Sequence, residues 1–113
     1  MRGPHENLAT LRAVLARGLQ ATQDLLDAAS LCRSLAVSDL EGAGAFFLLA
    51  LYFENLERLR EGVPVDADKY QAGISELVAL INDCLDSIES FDPVKLSANL
   101  DSFARMALRH PLP

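Results

Sequence analysis

Apolar residues recur at intervals of three and four along most of the chain, the spacing that lines one face of an α-helix. From Leu8 they fall at Leu11, Val14, Leu15, Leu19, Thr22, Leu25, Leu26, Ala29 and Cys32, with Arg17, Gln20, Gln23, Asp24 and Asp27 on the opposite side. This pattern predicts one amphipathic helix from about Glu6 to Leu35. Pro4 is placed to open it, and no proline follows until Pro64. Gly18 falls on the core side. A glycine inside a helix costs about 1 kcal/mol against alanine, so it reads either as a tolerated defect or as a point of close approach between helices.

Ser38-Asp39-Leu40-Glu41 has the form of a capping box, in which the serine oxygen accepts from the amide of Glu41 and the glutamate reaches back to the amide of Ser38. A second helix is predicted from there to Gly62, with Pro64 preventing its continuation. Within it the run from Gly42 to Phe53 carries no charge and holds three of the five phenylalanines. The run is too short to cross a bilayer, which takes roughly 20 apolar residues, and reads as a core helix. Placed around a helical wheel, Leu48, Leu49, Tyr52, Phe53, Leu56 and Leu59 form one face, a sufficient core stripe. Leu40, Ala43, Gly44, Phe47 and Leu51 lie on nearly the opposite side. A helix in a bundle normally keeps one face in water, so a second apolar face is expected to bury against another chain. Ala43 and Gly44 would let that chain approach closely, with Phe47 and Leu51 beside them. If the other chain is a second copy, the contact is isologous.

Asp66 or Asp68 is expected to cap a third helix, whose apolar positions are Tyr70, Ile74, Leu77, Val78, Ile81, Cys84, Leu85, Ile88 and Phe91. Glu76, Asp83 and Asp86 fall opposite that stripe, either as a solvated face or as a surface for a basic partner. Asp92 followed by Pro93 is a cap followed by a first-turn proline, so a fourth helix begins at once, with Leu96, Leu100, Phe103 and Ala107 as its stripe and Pro111 as its stop. The expected fold is all-α: an up-down four-helix bundle of three long helices and a shorter C-terminal one, dimeric, with residues 1–113 as a single domain. In that topology Cys32 and Cys84 fall in nearly the same core layer.

Composition agrees with this class. Half of the 113 residues are hydrophobic and 23% are charged, a balance that folds and does not suit a disordered segment. Leu and Ala dominate the apolar set, which favours helix over strand. The formal net charge of -6 repels phosphate at long range, so direct nucleic-acid binding is not expected. The N-terminus shows no hydrophobic signal region and the chain no membrane span, and two thiols in apolar helical patterns suit a reducing compartment, so a cytoplasmic, bacterial-type protein is expected.

Chemistry is bounded mainly by what is missing. Di-iron bundles need inward glutamates with Glu-x-x-His pairs, and the two histidines here, His5 and His110, stand at the two ends. Two isolated cysteines cannot supply a zinc site. Gly42-Ala43-Gly44 lacks the lysine and hydroxyl residue of a phosphate loop. No cofactor or metal is expected. Arg105 and His110, five apart near the end of a helical chain, resemble the Arg-x4-His motif of the HEPN nucleases, small dimeric helical domains that cleave RNA through its own 2′-hydroxyl. The resemblance implies that Arg105 stabilises phosphate charge and His110 transfers a proton. The same two side chains also suit a helix C-terminus without any catalytic role.

The function expected from these features is non-enzymatic protein–protein association, as a homodimer or as an adaptor, chaperone or inhibitor docking on a larger protein. A ribonuclease or related nucleotide-processing domain using Arg105 and His110 is the alternative. A second alternative is an apolar ligand held between helices and lined by Phe46, Tyr52 and Phe53.

Overall fold

In the computed structural model, which describes residues 3–19, 21–38, 41–60 and 67–109, Gly18 ends the first helix instead of lying inside it. Helix α1 spans Pro4–Ala16 and helix α2 spans Thr22–Ala36. Between them Gly18 and Leu19 both take positive φ, 85° and 53°, and the chain reverses. The amide of Gly18 bonds the carbonyl of Leu15 at 3.0 Å, which satisfies one of the open carbonyls at a helix end. Arg17 pairs with Asp24 across the turn at 3.0 Å. The single helix predicted from Glu6 to Leu35 is therefore a helical hairpin, and Thr22, placed in the apolar stripe by its spacing, is the exposed first residue of α2.

Helix α3 spans Ala43–Arg60. The expected capping box does not open it. The Ser38 hydroxyl donates to the carbonyl of Leu35 at 2.7 Å and so closes α2, while the first carbonyl of α3 to accept is that of Gly42, from the amide of Phe46 at 3.0 Å. Gly42 has φ 115°, and a Cβ there would stand 3.1 Å from the Ile88 side chain. The positive φ favours glycine, and a larger residue would also press on Ile88. Gly62, Pro64 and Asp66, with their expected capping and stop roles, lie outside the described residues.

Helix α4 spans Ala67–Glu89, with Asp68 inside its first turn, and helix α5 spans Pro93–Arg109. The junction between them is compact. The amide of Phe91 bonds the carbonyl of Ile88 at 3.1 Å and that of Asp92 bonds the carbonyl of Ser87 at 3.0 Å, the paired bonds of a Schellman motif. Phe91 occupies the left-handed position with φ 55° and is 69% exposed, although its spacing assigns it to the core. Asp92 then caps α5 as expected, accepting from the amide of Lys95 at 3.0 Å.

The fold among the described residues is thus all-helical, with five helices where the pattern predicts four. Helix α2 packs on α1 and α3, and α4 packs on α5. The chain extends 39 × 31 × 19 Å. One core joins all five helices: Leu11 and Leu15 of α1, Leu25 and Leu35 of α2, Phe46, Leu49 and Phe53 of α3, Ile74, Ile81 and Leu85 of α4, and Phe103 of α5. Tyr52 bridges α3 to α5, its ring edge-on to Phe103 at 5.1 Å. Arg12 of α1 reaches the end of α4, donating to Asn82 at 3.1 Å, Asp86 at 2.7 Å and Glu89 at 2.6 Å. No helix among the described residues is long and apolar enough to cross a membrane.

Candidate functional site

Helix α3 has no charge in its first eleven residues, so its own sequence does not set how it is rotated in the bundle. The neighbours set it. Ala45, Phe46, Leu49, Ala50, Phe53 and Leu56 point inward and are buried. The small side chains of Ala45 and Ala50 allow the adjacent helices to come close beside the larger phenylalanines.

This rotation leaves Ala43, Gly44, Phe47, Leu48 and Leu51 on the outside. Phe47 is 55% exposed, Leu48 41% and Leu51 43%. Leu48 was expected in the core stripe and belongs to the outer face instead. Leu40 and the side chain of Leu59 lie outside what the structure describes. A Cβ built on Gly44 meets nothing within 4 Å, so no neighbour among the described residues accounts for a glycine in the first turn of this helix. Beyond Leu51 the outer face becomes polar, with Asn55 and Arg58 exposed. Beside it Glu54 takes both oxygens to Arg33 of α2, at 2.5 and 2.9 Å. Those hydrogen bonds hold the Glu54 carboxyl below its ordinary range, with the charges of Arg33 and of Arg58 one turn on adding to the effect.

The other candidate residues are dispersed. Arg105 is exposed on α5, and His110 lies outside the described residues. Glu76 and Asp83 are exposed on α4. Asp86, read as lacking a basic neighbour, is held together with Glu89 by Arg12. Partial burial opposes the charge on Arg12, and the hydrogen bonds to Glu89 and Asp86 outweigh it, so its pKa stands above the ordinary value. The sequence could not place this pair, because Arg12 comes from a helix more than seventy residues away.

Phe46 and Phe53, expected to line a ligand cavity, are fully buried. Tyr52 packs edge-on to Phe53 and Phe103, and burial pushes its phenol pKa up. Open clefts lie elsewhere among the described residues. One of about 400 Å³ runs between α1 and α2, lined by Thr10, Ala13, Val14, Arg17, Asp27, Ser30 and Leu31. Another, about 150 Å³, is at the α4–α5 junction and includes Gly42, Ile88, Phe91 and Leu96. Cys32 and Cys84 are unbonded and buried, and burial pushes their thiols up to about 12 and about 11. At neutral pH they are protonated and poor nucleophiles. Among the described residues no group of three or more His, Cys, Asp or Glu side chains is arranged to hold a metal ion.

No protein-family model, curated protein or solved structure matches this chain.

Proposed function

We propose that the protein is a non-enzymatic association module that binds another protein chain through the outer face of α3. The observation that carries this reading is the exposure of Phe47, Leu48 and Leu51 together on one uncharged stretch of helix. A lone exposed leucine is ordinary, whereas a group of large apolar side chains on one face stands in water only at a cost that burial against a partner removes. Each such side chain contributes about 1.5–3 kcal/mol when fully buried. Gly44 supports the reading independently. It has no neighbour among the described residues that requires it, yet it would permit a partner backbone or side chain to come close. A second copy of the chain or a larger protein would satisfy both features.

The test is a photo-crosslinking amino acid at position 47, with position 97 on α5 as the control, in the full chain inside the cells that express it. Adducts at 47 and none at 97 are expected. Equal labelling at the two positions, or none at 47, would overturn the association reading.

A further inference from the structure

Helix α5 is the least anchored of the five. Among the described residues it adds only Phe103 to the buried core, where α4 adds Tyr70, Ile74, Leu77, Ile81, Leu85 and Ile88. The rest of its apolar stripe, Leu96, Leu100, Met106 and Ala107, is partly buried. No ion pair joins α5 to another helix among the described residues. Its side-chain tie to α4 is Asn99, which donates to the Asp83 carbonyl at 3.1 Å and to the Ser87 hydroxyl at 2.7 Å. Breaking that tie orphans nothing: Ser87 keeps its own 3.0 Å bond to the Asp83 carbonyl, and the Asn99 amide passes to water. Beside the start of α5 the cleft of about 150 Å³ reaches Ile88 and Leu96, so the first turn is not close-packed on the bundle.

We infer that α5 is a lid: it leaves the bundle as a unit about the turn at residues 90–92 while α1–α4 stay folded, baring Tyr52 of α3 and the surface of α4 around Ser87. The turn is suited to act as the hinge. Phe91 is left-handed with φ 55°, a conformation that is costly for a residue with a side chain. It is also 69% exposed, so a change in its dihedrals relieves strain and moves no buried side chain. The other four helices remain tied when α5 departs. Apart from Phe103 the core cluster is drawn from α1–α4 and the turn at Leu19, and Arg12 clamps α1 to Asp86 and Glu89 of α4. Away from the bundle a helix of 17 residues is marginal in water, so a released α5 loses its backbone hydrogen bonds and its amides exchange. A second apolar surface, apart from the outer face of α3, is thus held shut by a helix of the same chain. The opening is independent of what the α3 face binds.

Amide hydrogen exchange of the full chain, followed by NMR at increasing sub-denaturing urea, tests this. The amides of residues 99–106 are expected to exchange at one common opening constant, at least about a hundredfold above that of the slowest amides of α4. Their dependence on urea should be finite but well below that of global unfolding, because only part of the surface is exposed. Ala28→Gly separates the two processes, since it weakens buried α2 and leaves the α5 contacts alone. It should speed the slowest α4 amides at least about threefold and leave residues 99–106 within about twofold of wild type. Residues 99–106 that share the α4 rates and urea dependence, or that accelerate with α4 in Ala28→Gly, would overturn the lid. So would rates that climb residue by residue toward Arg109 with no urea dependence, the signature of end fraying. The urea dependence of the wild type decides the matter even if Ala28→Gly does not fold.

Discussion

The hydroxyl of Tyr70 donates a 2.6 Å hydrogen bond to the carbonyl of Leu19, tying the first turn of α4 to the turn that splits the predicted first helix. Leu19 is a buried residue with φ 53°. A left-handed backbone costs a non-glycine residue roughly 1–2 kcal/mol, and the burial of its side chain together with the Tyr70 bond offsets that cost. Tyr70→Phe keeps the ring and removes this bond to the Leu19 carbonyl. Stability is expected to fall by about 0.5–1.5 kcal/mol, read as a lower urea midpoint with an unchanged slope.

Gly18 and Phe91 occupy the same kind of backbone position with opposite residue types, φ 85° and 55°. Exchanging the chemistry should therefore have opposite effects. Gly18→Ala is expected to lower stability by about 1 kcal/mol. Phe91→Gly is expected to raise it by a similar amount, because the side chain is largely exposed and gives up little burial in return. Thermal unfolding of the two variants checks both signs.

Arg12 holds Asp86 and Glu89 with a side chain that is 30% exposed. Arg12→Ala is expected to cost about 1 kcal/mol, and the difference from wild type should shrink as salt is raised from about 0.05 to 0.5 M, since screening weakens exposed pairs first. Arg12→Lys should recover only part of the loss, because an ammonium cannot reproduce the planar fork that reaches three acceptors. Denaturant melts at the two ionic strengths provide the comparison.

The buried thiols predict behaviour at alkaline pH. In the folded chain Cys32 ionises near 12 against an ordinary 9.0, and Cys84 near 11. Both pKa values are raised by folding, so their stabilising contribution is complete below pH 9 and is lost as pH climbs toward the folded values. The loss from Cys32 should be on the order of 1 kcal/mol between pH 8 and 10. Cys32→Ala should flatten that part of the pH profile even though its small cavity lowers stability at pH 7. A thiol reagent at pH 7 should leave both residues unmodified until denaturant unfolds the chain.

Low pH tests the Arg33–Glu54 pair. Hydrogen bonding to Arg33 lowers the Glu54 pKa in the folded chain, so the pair's contribution is present above the ordinary carboxylate range and is lost as pH falls through the lowered value. Glu54→Gln should reduce the acid sensitivity of unfolding relative to wild type, with little change at neutral pH because both groups are surface-exposed. Acid titration monitored by circular dichroism would show it.

The helices themselves were legible in the sequence wherever polar residues marked the outside. Helix α4 is the clear case: eight of its nine predicted stripe positions, from Tyr70 to Ile88, are buried or packed against the core. Only Phe91 departs, because the chain has already turned left-handed there. The start of α5 was equally legible, since the capping chemistry of Asp92 and Pro93 is local. The hairpin at Gly18 was not. Both α1 and α2 face the same core, so the apolar spacing runs through the break in phase and imitates one long helix; the glycine was the only mark of the turn. The capping box at Ser38 misled for a related reason, because a serine oxygen can serve the end of one helix as readily as the start of the next.

What the sequence determined by itself was the class and the ingredients: an all-helical chain with an amphipathic α4, a capped α5, buried thiols, and a helix richer in apolar surface than one core needs. What only tertiary structure decided was how that helix is turned. Residues 43–53 of α3 are apolar on every side, so their own periodicity leaves rotation free, and the packing of Phe46, Leu49 and Phe53 against α2 and the rest of the core selects one orientation. That choice moved Leu48 from the expected core to the surface and lined it up with Gly44 and Leu51. The physical reason is that hydrophobic burial is non-directional. It requires an apolar helix to be covered but does not say which side faces in until the neighbouring side chains are in place.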